Sequence, residues 1–173
     1  MLNKKNILFV ITGIKTGGIE TYLLRFLKSK KNQIKPIILV QSLDKDDLFY
    51  EDFINIGVKI IYLPITFSPL SLSNFYSLLK REQINCVCDF RGDFSGITLL
   101  FSSLANIKNR VVFYRESRFQ FKPTFLKNIY VKFLHFLTLN FSTKILSNSN
   151  YAFTSFYKKN ELRNKYHKVI RNG

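Results

Sequence analysis

A glycine-rich segment near the amino terminus has the residue types needed to bind an anion. The loop Gly13–Gly18 follows a continuous apolar run and precedes residues with helical periodicity. Free backbone N–H groups at a helix start point toward a bound anion, and glycines allow its close approach. The loop fits neither a P-loop nor a G-x-G-x-x-G fingerprint. We expect Gly17 and Gly18 to contact a ligand; the alternative is a tight turn that only joins strand to helix.

A second segment with such residues, Asp89–Gly96, places charged residues and glycines after another apolar run. Arg91, Gly92 and Asp93 are candidates for holding a sugar or a phosphate group, because an arginine donates two parallel hydrogen bonds to such oxygens. The alternative is that the arginine and the aspartates pair with each other in a structural turn.

The third segment, Tyr114–Arg118, also follows an apolar run. Arg115 and Arg118 have the spacing to clamp an anionic group, and Glu116 lies between them. The alternative is a pair of solvated surface arginines.

Histidines and cysteines do not form a recognisable catalytic or metal-binding pattern. Cys86 and Cys88 are predicted to be buried thiols in a reducing, cytoplasmic setting, because two further ligands at matching spacing are missing. His135 is predicted to be a packed or exposed histidine without a catalytic role, because no acid–base partner is near it in the sequence. We expect no metal and no cofactor.

The charge of the chain indicates a negatively charged partner. Lysine and arginine number 27 against 11 acidic residues, which gives a formal net charge of +16. Residues 118–173 hold 11 of those basic residues and one acid, Glu161, so most of the excess is in the second half. Phosphate, nucleic acid and anionic lipid are all compatible partners. No RNA-binding signature is present, which makes nucleic acid the least favoured.

Residues 124–141 interleave apolar side chains with lysines, which is typical of a basic amphipathic helix. Such a helix either packs against the sheet or lies at an anionic bilayer surface. We expect packing, and the two roles are compatible because aromatic residues occur on more than one face.

Apolar runs alternate with helical patterns along the whole chain, whose 173 residues suit one domain. This rhythm predicts an α/β, Rossmann-like, doubly wound and mainly parallel sheet with helices on both faces. Ligands of such sheets collect at the carboxyl ends of the strands. The predicted strands are 7–14, 36–40, 58–65, 84–90, 110–114, 144–147 and 167–170, and the predicted helices are 19–30, about 48–56, 72–83, 96–106, 123–141 and 151–159.

The longest uncharged stretch, residues 60–79, is long enough to span a bilayer. It contains Pro64, Pro69 and four serines. The composition therefore predicts a strand, a loop and a helix start rather than a membrane helix.

Several motifs in order resemble the amino-terminal half of family 4 glycosyltransferases of the GT-B fold. They are Lys15-Thr-Gly-Gly-Ile-Glu-Thr21, the segment after the fourth strand, Val112-Phe-Tyr-Arg-Glu-Ser117, Ile145-Leu-Ser-Asn-Ser149 and Lys168-Val-Ile-Arg-Asn-Gly173. In that family this half chiefly binds the acceptor. The other half binds the nucleotide sugar through two glutamates spaced E-x7-E, and no glutamate here has another eight positions on. The resemblance thus implies a chain, residues 1–173, that lacks the donor-binding domain.

The resemblance also implies roles for individual residues. Gly17 and Gly18 would approach the donor diphosphate, while Arg91, Gly92, Asp93, Arg115, Glu116, Arg118 and Asn148 would contact the acceptor, and Asn172 and Gly173 would form the hinge to the second domain. Many relatives carry a histidine after the fourth or fifth strand where this sequence has arginines, so no catalytic residue is assigned.

Two functions follow as expectations. The first is the acceptor-binding half of a retaining, nucleotide-sugar-dependent hexosyltransferase in surface polysaccharide, lipopolysaccharide or glycolipid synthesis, inactive alone, cytoplasmic and peripheral on the inner face of the plasma membrane. Its partners would be a sugar or lipid-linked acceptor, an anionic membrane and a separate donor-binding domain. The second is a non-catalytic basic module that binds anionic lipid, polysaccharide or a partner protein.

Overall fold

The computed structural model of the protein describes residues 4–15, 17–30, 32–43, 48–115, 124–158, 161–162 and 166–171. Strands and helices alternate along these residues. The strands are β1 (Lys5–Ile11), β2 (Ile34–Val40), β3 (Lys59–Tyr62), β4 (Cys86–Asp89), β5 (Asn109–Tyr114), β6 (Lys144–Ser147) and β7 (Tyr166–Val169). The helices are α1 (Gly18–Lys30), α2 (Tyr50–Asn55), α3 (Pro69–Arg81), α4 (Gly96–Leu104), α5 (Phe125–Phe141) and α6 (Asn150–Phe156), with a short 3-10 helix at Gly92–Ser95.

The strands form one sheet in the order β3-β2-β1-β4-β5-β6-β7. Strand β2 pairs in parallel with both β1 and β3, and β6 pairs in parallel with both β5 and β7. Parallel neighbours joined through helices define a Rossmann-like α/β fold. The fold class predicted from the sequence is confirmed.

Residues 1–88 form the first of two compact units of the chain. Their strands are buried runs rather than alternating ones, as expected for a parallel sheet: Leu8, Val10, Ile38, Leu39 and Val40 have no exposed surface. Helices α1 and α3 bury the apolar residues that recur every three or four positions, among them Leu23, Leu27, Phe75 and Leu79.

Strand β2 contains a proline, Pro36, which the sequence prediction placed at the strand's first position. Pro36 lies opposite Ile7 of β1, whereas the pairing of β2 with β3 starts one residue later, at Ile37. Proline has no N–H to donate, so it is tolerated where the neighbouring ladder has not yet begun.

Helix α3 begins at Pro69, before the predicted start at residue 72. The hydroxyl of Ser68 accepts a hydrogen bond from the backbone N–H of Ser71 and so caps the helix. Pro69 occupies the first turn, where a missing N–H costs nothing. The apolar periodicity alone could not show this start, because both capping residues are exposed.

Residues 89–173 form the second unit. One cluster of its core packs β5, β6 and α4 against α6 through Leu99, Val112, Tyr114, Ile145, Phe153 and Tyr157. Unlike the core of the first unit, this cluster contains two tyrosine hydroxyls, which need hydrogen-bond partners when buried.

Two kinds of feature are absent from the described residues. None of the helices there is long and apolar enough to cross a membrane. Among the same residues no group of three or more His, Cys, Asp and Glu side chains is placed to hold a metal ion. Cys86 and Cys88 are half-buried rather than fully buried.

Candidate functional site

The loop after β4 is built around a buried ion pair. Arg91 Nε and Nη2 donate to the two carboxylate oxygens of Asp89 at 3.0 and 2.7 Å, and the backbone N–H of Arg91 donates to the same group at 3.0 Å. Arg91 Nη2 also donates to the hydroxyl of Thr98 at 2.5 Å. The Asp89 side chain is fully buried and that of Arg91 is 13% exposed. Of the two readings of this segment, internal pairing is therefore the one present in the fold.

Position 92 requires a glycine for two reasons: its backbone conformation and the closeness of the Tyr114 ring. Its φ is +58°, in the left-handed region that L side chains rarely adopt. A Cβ there would lie 3.0 Å from the Tyr114 ring. Gly92 thereby lets the loop after β4 approach the end of β5.

Asp93, the next residue, has a buried carboxylate with two donors. Tyr114 Oη donates to Asp93 Oδ1 at 2.5 Å, and His135 Nδ1 lies 3.0 Å from the same oxygen. Tyr157 Oη lies 2.6 Å from Tyr114 Oη. Since Tyr114 gives its only proton to Asp93, Tyr157 must donate to Tyr114. The result is a chain of hydrogen bonds from Tyr157 through Tyr114 to Asp93.

His135 is part of this network. It is a packed histidine, as the sequence predicted, and its acidic partner Asp93 lies 42 positions away along the chain. Its ring bridges two carboxylates: Asp93 on Nδ1 and Glu161, whose Oε1 is 3.8 Å from Nε2. The His135 side chain is 20% exposed and that of Glu161 is 34% exposed, whereas that of Asp93 is 3% exposed. The network therefore reaches solvent through His135 and Glu161.

The electrostatics of the network favour a protonated His135 and neutral tyrosines. The hydrogen bond to Asp93 raises the pKa of His135 above the ordinary value of 6.5, against the opposing effect of burial. Burial raises the pKa of Tyr114 well above 10.0 and also raises that of Tyr157. Both phenols therefore remain hydrogen-bond donors at neutral pH.

Close packing of α4 and α5 holds His135 in place. A Cβ at Gly96 would lie 2.6 Å from the carbonyl oxygen of Leu134 and 2.9 Å from Leu137 Cβ. Thr138 of α5 donates from its hydroxyl to the backbone carbonyl of Asp93 at 3.0 Å. The glycine and the threonine fix the position of α5 relative to the 3-10 helix.

Arg115 and Asn148 are brought together at the ends of β5 and β6. Asn148 Nδ2 donates to the Arg115 carbonyl at 3.0 Å, and the Asn148 backbone N–H donates to the Tyr114 carbonyl at 3.1 Å. The Arg115 guanidinium lies 5.4 Å from the centre of the Phe113 ring. These contacts hold Arg115 and Asn148 together at one rim of the second unit.

The glycine loop belongs to the first unit. The Gly17 carbonyl accepts hydrogen bonds from the backbone N–H and the hydroxyl of Thr21 at 3.2 and 2.9 Å, which starts helix α1. A Cβ at Gly18 would meet no atom within 4 Å, whereas one at Gly17 would lie 2.5 Å from Glu20 Oε2. The loop therefore presents open space at Gly18 and a carboxylate beside Gly17.

Four residues predicted to have a role lie outside the described residues. They are Glu116 and Arg118 among the acceptor-binding candidates, and Asn172 and Gly173 at the predicted hinge. The other acceptor-binding candidates, Arg91, Gly92, Asp93, Arg115 and Asn148, all follow the carboxyl ends of β4, β5 and β6.

The residues that sequence reasoning missed are His135, Tyr157 and Glu161. One signal for His135 was available: His135 and Thr138 are polar residues three positions apart on a predominantly apolar helix, so they share a face. A polar pair on a packed face indicates a polar partner across it. Its identity as Asp93, 42 positions earlier, has no local signature.

Comparison with known proteins supports a fold rather than an activity. No family model matches the chain. A capsular polysaccharide biosynthesis glycosyltransferase of Staphylococcus aureus, CapH, is 27% identical over 170 residues, which are 96% of this chain and 46% of that protein. The HepE structure from Anabaena, in complex with UDP, has a TM-score of 0.69 at 17% identity over 97% of this chain and 44% of HepE. A glycosyltransferase from Rickettsia africae matches with a TM-score of 0.60 at 18% identity over 99% of this chain and 44% of its own.

The chain has the fold of one Rossmann-like half of GT-B glycosyltransferases. It spans less than half the length of the relatives it matches. The fold is not confined to transferases, since a UDP-N-acetylglucosamine 2-epimerase described as putative, from Listeria monocytogenes, matches with a TM-score of 0.59 at 13% identity over 90% of this chain and 42% of its own. The likeness therefore shows the fold and leaves the ligand and the reaction to be argued from other observations.

Proposed function

We propose that this chain is the acceptor-binding half of a retaining, nucleotide-sugar-dependent glycosyltransferase of family 4 type in surface polysaccharide or glycolipid synthesis. The observation that carries this proposal is the likeness to a capsular polysaccharide glycosyltransferase over 96% of the chain. The order of the motifs, from the glycine loop to the closing Asn172-Gly173, supports the same assignment. Retention of configuration follows from the resemblance to family 4.

In this proposal the two units have different tasks. Gly18, at the start of α1 with open space around it, approaches the diphosphate of the donor, whose negative charge the helix amino terminus favours. The rim formed by Arg115 and Asn148 binds the acceptor. The hydrogen bond from the Asn148 side chain to the Arg115 backbone holds these two residues together, which preorganises this part of the rim for a polar ligand.

The ion pair of Arg91 with Asp89 and the carboxylate of Asp93 have positioning roles in this proposal, because their side chains are nearly buried. His135 and Glu161 are the members of the network that reach solvent. In this proposal they are the groups of the network that an acceptor meets, with the His135 ring held by Asp93.

The donor-binding half would come from a further domain or a separate polypeptide. Transition-state stabilisation at the leaving diphosphate needs both walls of the crevice, so we expect the 173-residue chain alone to transfer no appreciable sugar. We place the assembled enzyme on the cytoplasmic side of a membrane, where a lipid-linked acceptor is available.

Two measurements test this proposal. Incorporation of label from a panel of nucleotide sugars into extracted glycolipids is expected to stay at background with the chain alone; robust turnover would contradict the half-enzyme proposal. The chain is expected to bind extracted glycolipids or immobilised polysaccharide, with Asn148→Ala weakening that binding at least fivefold. Failure to bind any of them would remove the acceptor role.

The alternative function, a non-catalytic basic binding module, is favoured by the net charge of +16. It predicts binding of anionic lipid or polysaccharide that Asn148→Ala does not change. Affinity for duplex or single-stranded nucleic acid that falls steeply with salt would favour a third function, nucleic-acid binding.

A further inference from the structure

Helix α5 exposes an apolar face that its packing leaves uncovered among the described residues. Leu134, Leu137 and Thr138 are buried, and the helix packs on α4 and on the 3-10 helix. The large exposed side chains on the same helix include Phe125 at 79%, Leu126 at 77% and Phe136 at 59% exposure. Single exposed apolar residues are ordinary on a protein surface, but several large ones on the same helix form an exposed apolar patch, which is unusual.

These side chains share one side of the helix. At 3.6 residues per turn, all of them fall within an arc of about 140°, and they run for about 17 Å along the axis. The face, named here the α5 face, consists of Phe125, Leu126, Ile129, Tyr130, Phe133 and Phe136. Of the buried residues, Leu134 and Thr138 occupy an adjoining arc, whereas Leu137 projects within the same arc but one residue beyond the end of the face at Phe136. Core packing therefore does not account for the six exposed side chains of the α5 face.

Lysines lie on the same helix as the α5 face, and the helix has no acid. In the same projection Lys132 lies about 20° outside one edge of the arc and Lys127 about 60° outside the other edge. Both lysines are exposed. No Asp or Glu occurs in Phe125–Phe141. An exposed apolar face on a helix that carries lysines and no acid has the composition of helices that lie in the interface of an anionic bilayer, with the rings among the acyl chains and the ammonium groups at the phosphates.

Charge also argues against a second copy of this chain as the occupant. Two copies would bring together chains that each carry a net charge of +16, with lysines beside both contact surfaces. Repulsion between them opposes association, whereas an anionic surface attracts the same lysines. The α5 face thus combines exposed apolar side chains with nearby positive charge, and both features favour binding to an anionic membrane.

We infer that the α5 face is a membrane-docking surface, which binds the headgroup and upper acyl region of an anionic bilayer with the helix lying in its plane. This inference rests on the membrane setting of the proposed function, and it names the surface responsible. It places the second unit, which carries the Asn148 rim, at the bilayer. Lipid binding and sugar transfer are measured separately, so either idea can fail alone.

The test is co-sedimentation of the 173-residue chain with vesicles. We expect binding to vesicles of phosphatidylcholine with about one third phosphatidylglycerol, weaker binding at high salt, and little binding to phosphatidylcholine alone. The double variant Phe125→Ser/Leu126→Ser is expected to weaken binding at least tenfold. Its matched control, Leu48→Ser/Leu70→Ser, alters leucines of similar exposure on the first unit and should bind as the wild type does.

A charge variant separates the contribution of the lysines to vesicle binding from that of the apolar side chains. Lys127→Glu/Lys132→Glu should weaken binding to anionic vesicles at least tenfold, while Lys4→Glu/Lys108→Glu, which changes the charge equally at other exposed positions, should weaken it far less. Circular dichroism and thermal melting confirm that each variant folds.

Three results would overturn the inference. The first is no binding of the wild type to anionic vesicles. The second is equal loss of binding in the α5 variants and their controls. The third is a concentration-dependent dimer that Phe125→Ser/Leu126→Ser abolishes, which would make the α5 face an interface between copies. If the wild-type chain does not bind anionic vesicles but still binds glycolipid in detergent, the docking surface is refuted and the proposed function stands.

Discussion

Tyr114 Oη donates a hydrogen bond of 2.5 Å to Asp93 Oδ1, which joins the end of β5 to the 3-10 helix 21 positions earlier. Both residues are nearly inaccessible to solvent. The bond fixes the carboxylate that in turn holds His135. An acidic residue in a strand-end loop, which by position alone could face a ligand, here faces inward.

Tyr114→Phe removes that bond and leaves Tyr157 without its acceptor. We expect the free energy of unfolding to fall by about 1–3 kcal/mol, because a buried carboxylate loses a donor. Urea denaturation at pH 7 measures the change. Tyr151→Phe, which alters an exposed tyrosine on α6, should change the stability by less than about 0.5 kcal/mol. Equal effects of the two substitutions would show that the buried hydroxyl network contributes nothing specific.

His135 should make stability depend on pH. Its folded-state pKa lies above the ordinary value of 6.5, so its contribution is fully present below about pH 6.5 and is lost as pH rises through the folded-state pKa. His135→Gln should therefore cost about 1.5–3 kcal/mol at pH 6 and clearly less at pH 9, since a hydrogen bond to a charged group is worth that amount. Denaturation curves at both pH values give the difference.

The control for His135 is His167→Gln, which alters the exposed histidine of β7. It should cost less stability at pH 6 than His135→Gln does, because His167 is exposed whereas His135 bonds a buried carboxylate. If His135→Gln lowers stability by the same amount at pH 6 and pH 9, its effect is packing and the charged form has no role.

Gly96→Ala should destabilise the protein by about 1–3 kcal/mol, because the added methyl group would lie within 3 Å of backbone and side chain on α5. Gly18→Ala adds the same methyl group where no atom lies within 4 Å and should leave the melting temperature nearly unchanged. In an assembled two-domain enzyme, however, Gly18→Ala should reduce sugar transfer at least tenfold. Loss of fold in Gly18→Ala, or full activity, would each contradict part of this expectation.

Arg91→Ala leaves the fully buried carboxylate of Asp89 without its guanidinium. Removing one partner of a buried pair typically costs about 3–5 kcal/mol, and we expect a loss in that range. Arg81→Ala, which removes an arginine that is 70% exposed, should cost less than about 1 kcal/mol. Thermal unfolding measures the melting temperatures of the two variants. Equal melting temperatures of Arg91→Ala and Arg81→Ala would contradict the prediction.

The order of the elements could be predicted from apolar runs and helical periodicity, because burial of a parallel sheet leaves a direct imprint on sequence. Strand β6 was predicted at its observed bounds, 144–147. The first strand was not: it was predicted at 7–14 and spans Lys5–Ile11. The apolar run continues through Ile14, which is buried outside the strand, so burial alone does not mark where a ladder ends.

The candidate site was predicted only in part. Glycines and arginines at strand ends pointed to the loops after β4, β5 and β6, because position in the topology is readable from the sequence. Whether Arg91 faces a ligand or Asp89 depends on how deeply the two side chains are buried. Their residue types and spacing in the sequence do not show this. The contact of His135 with Asp93 arises from the packing of α5, a relation between distant segments that no local spacing records.

The proline of β2 bears on how the protein behaves at high concentration. The stretch Ile34–Pro36 pairs with β1 but precedes the first residue of β2 that pairs with β3. Another polypeptide strand adding to this part of β2 would meet a proline ring that has no N–H to donate. A residue with an N–H in place of Pro36 would offer one more hydrogen-bond donor to such a strand, which favours edge-to-edge association.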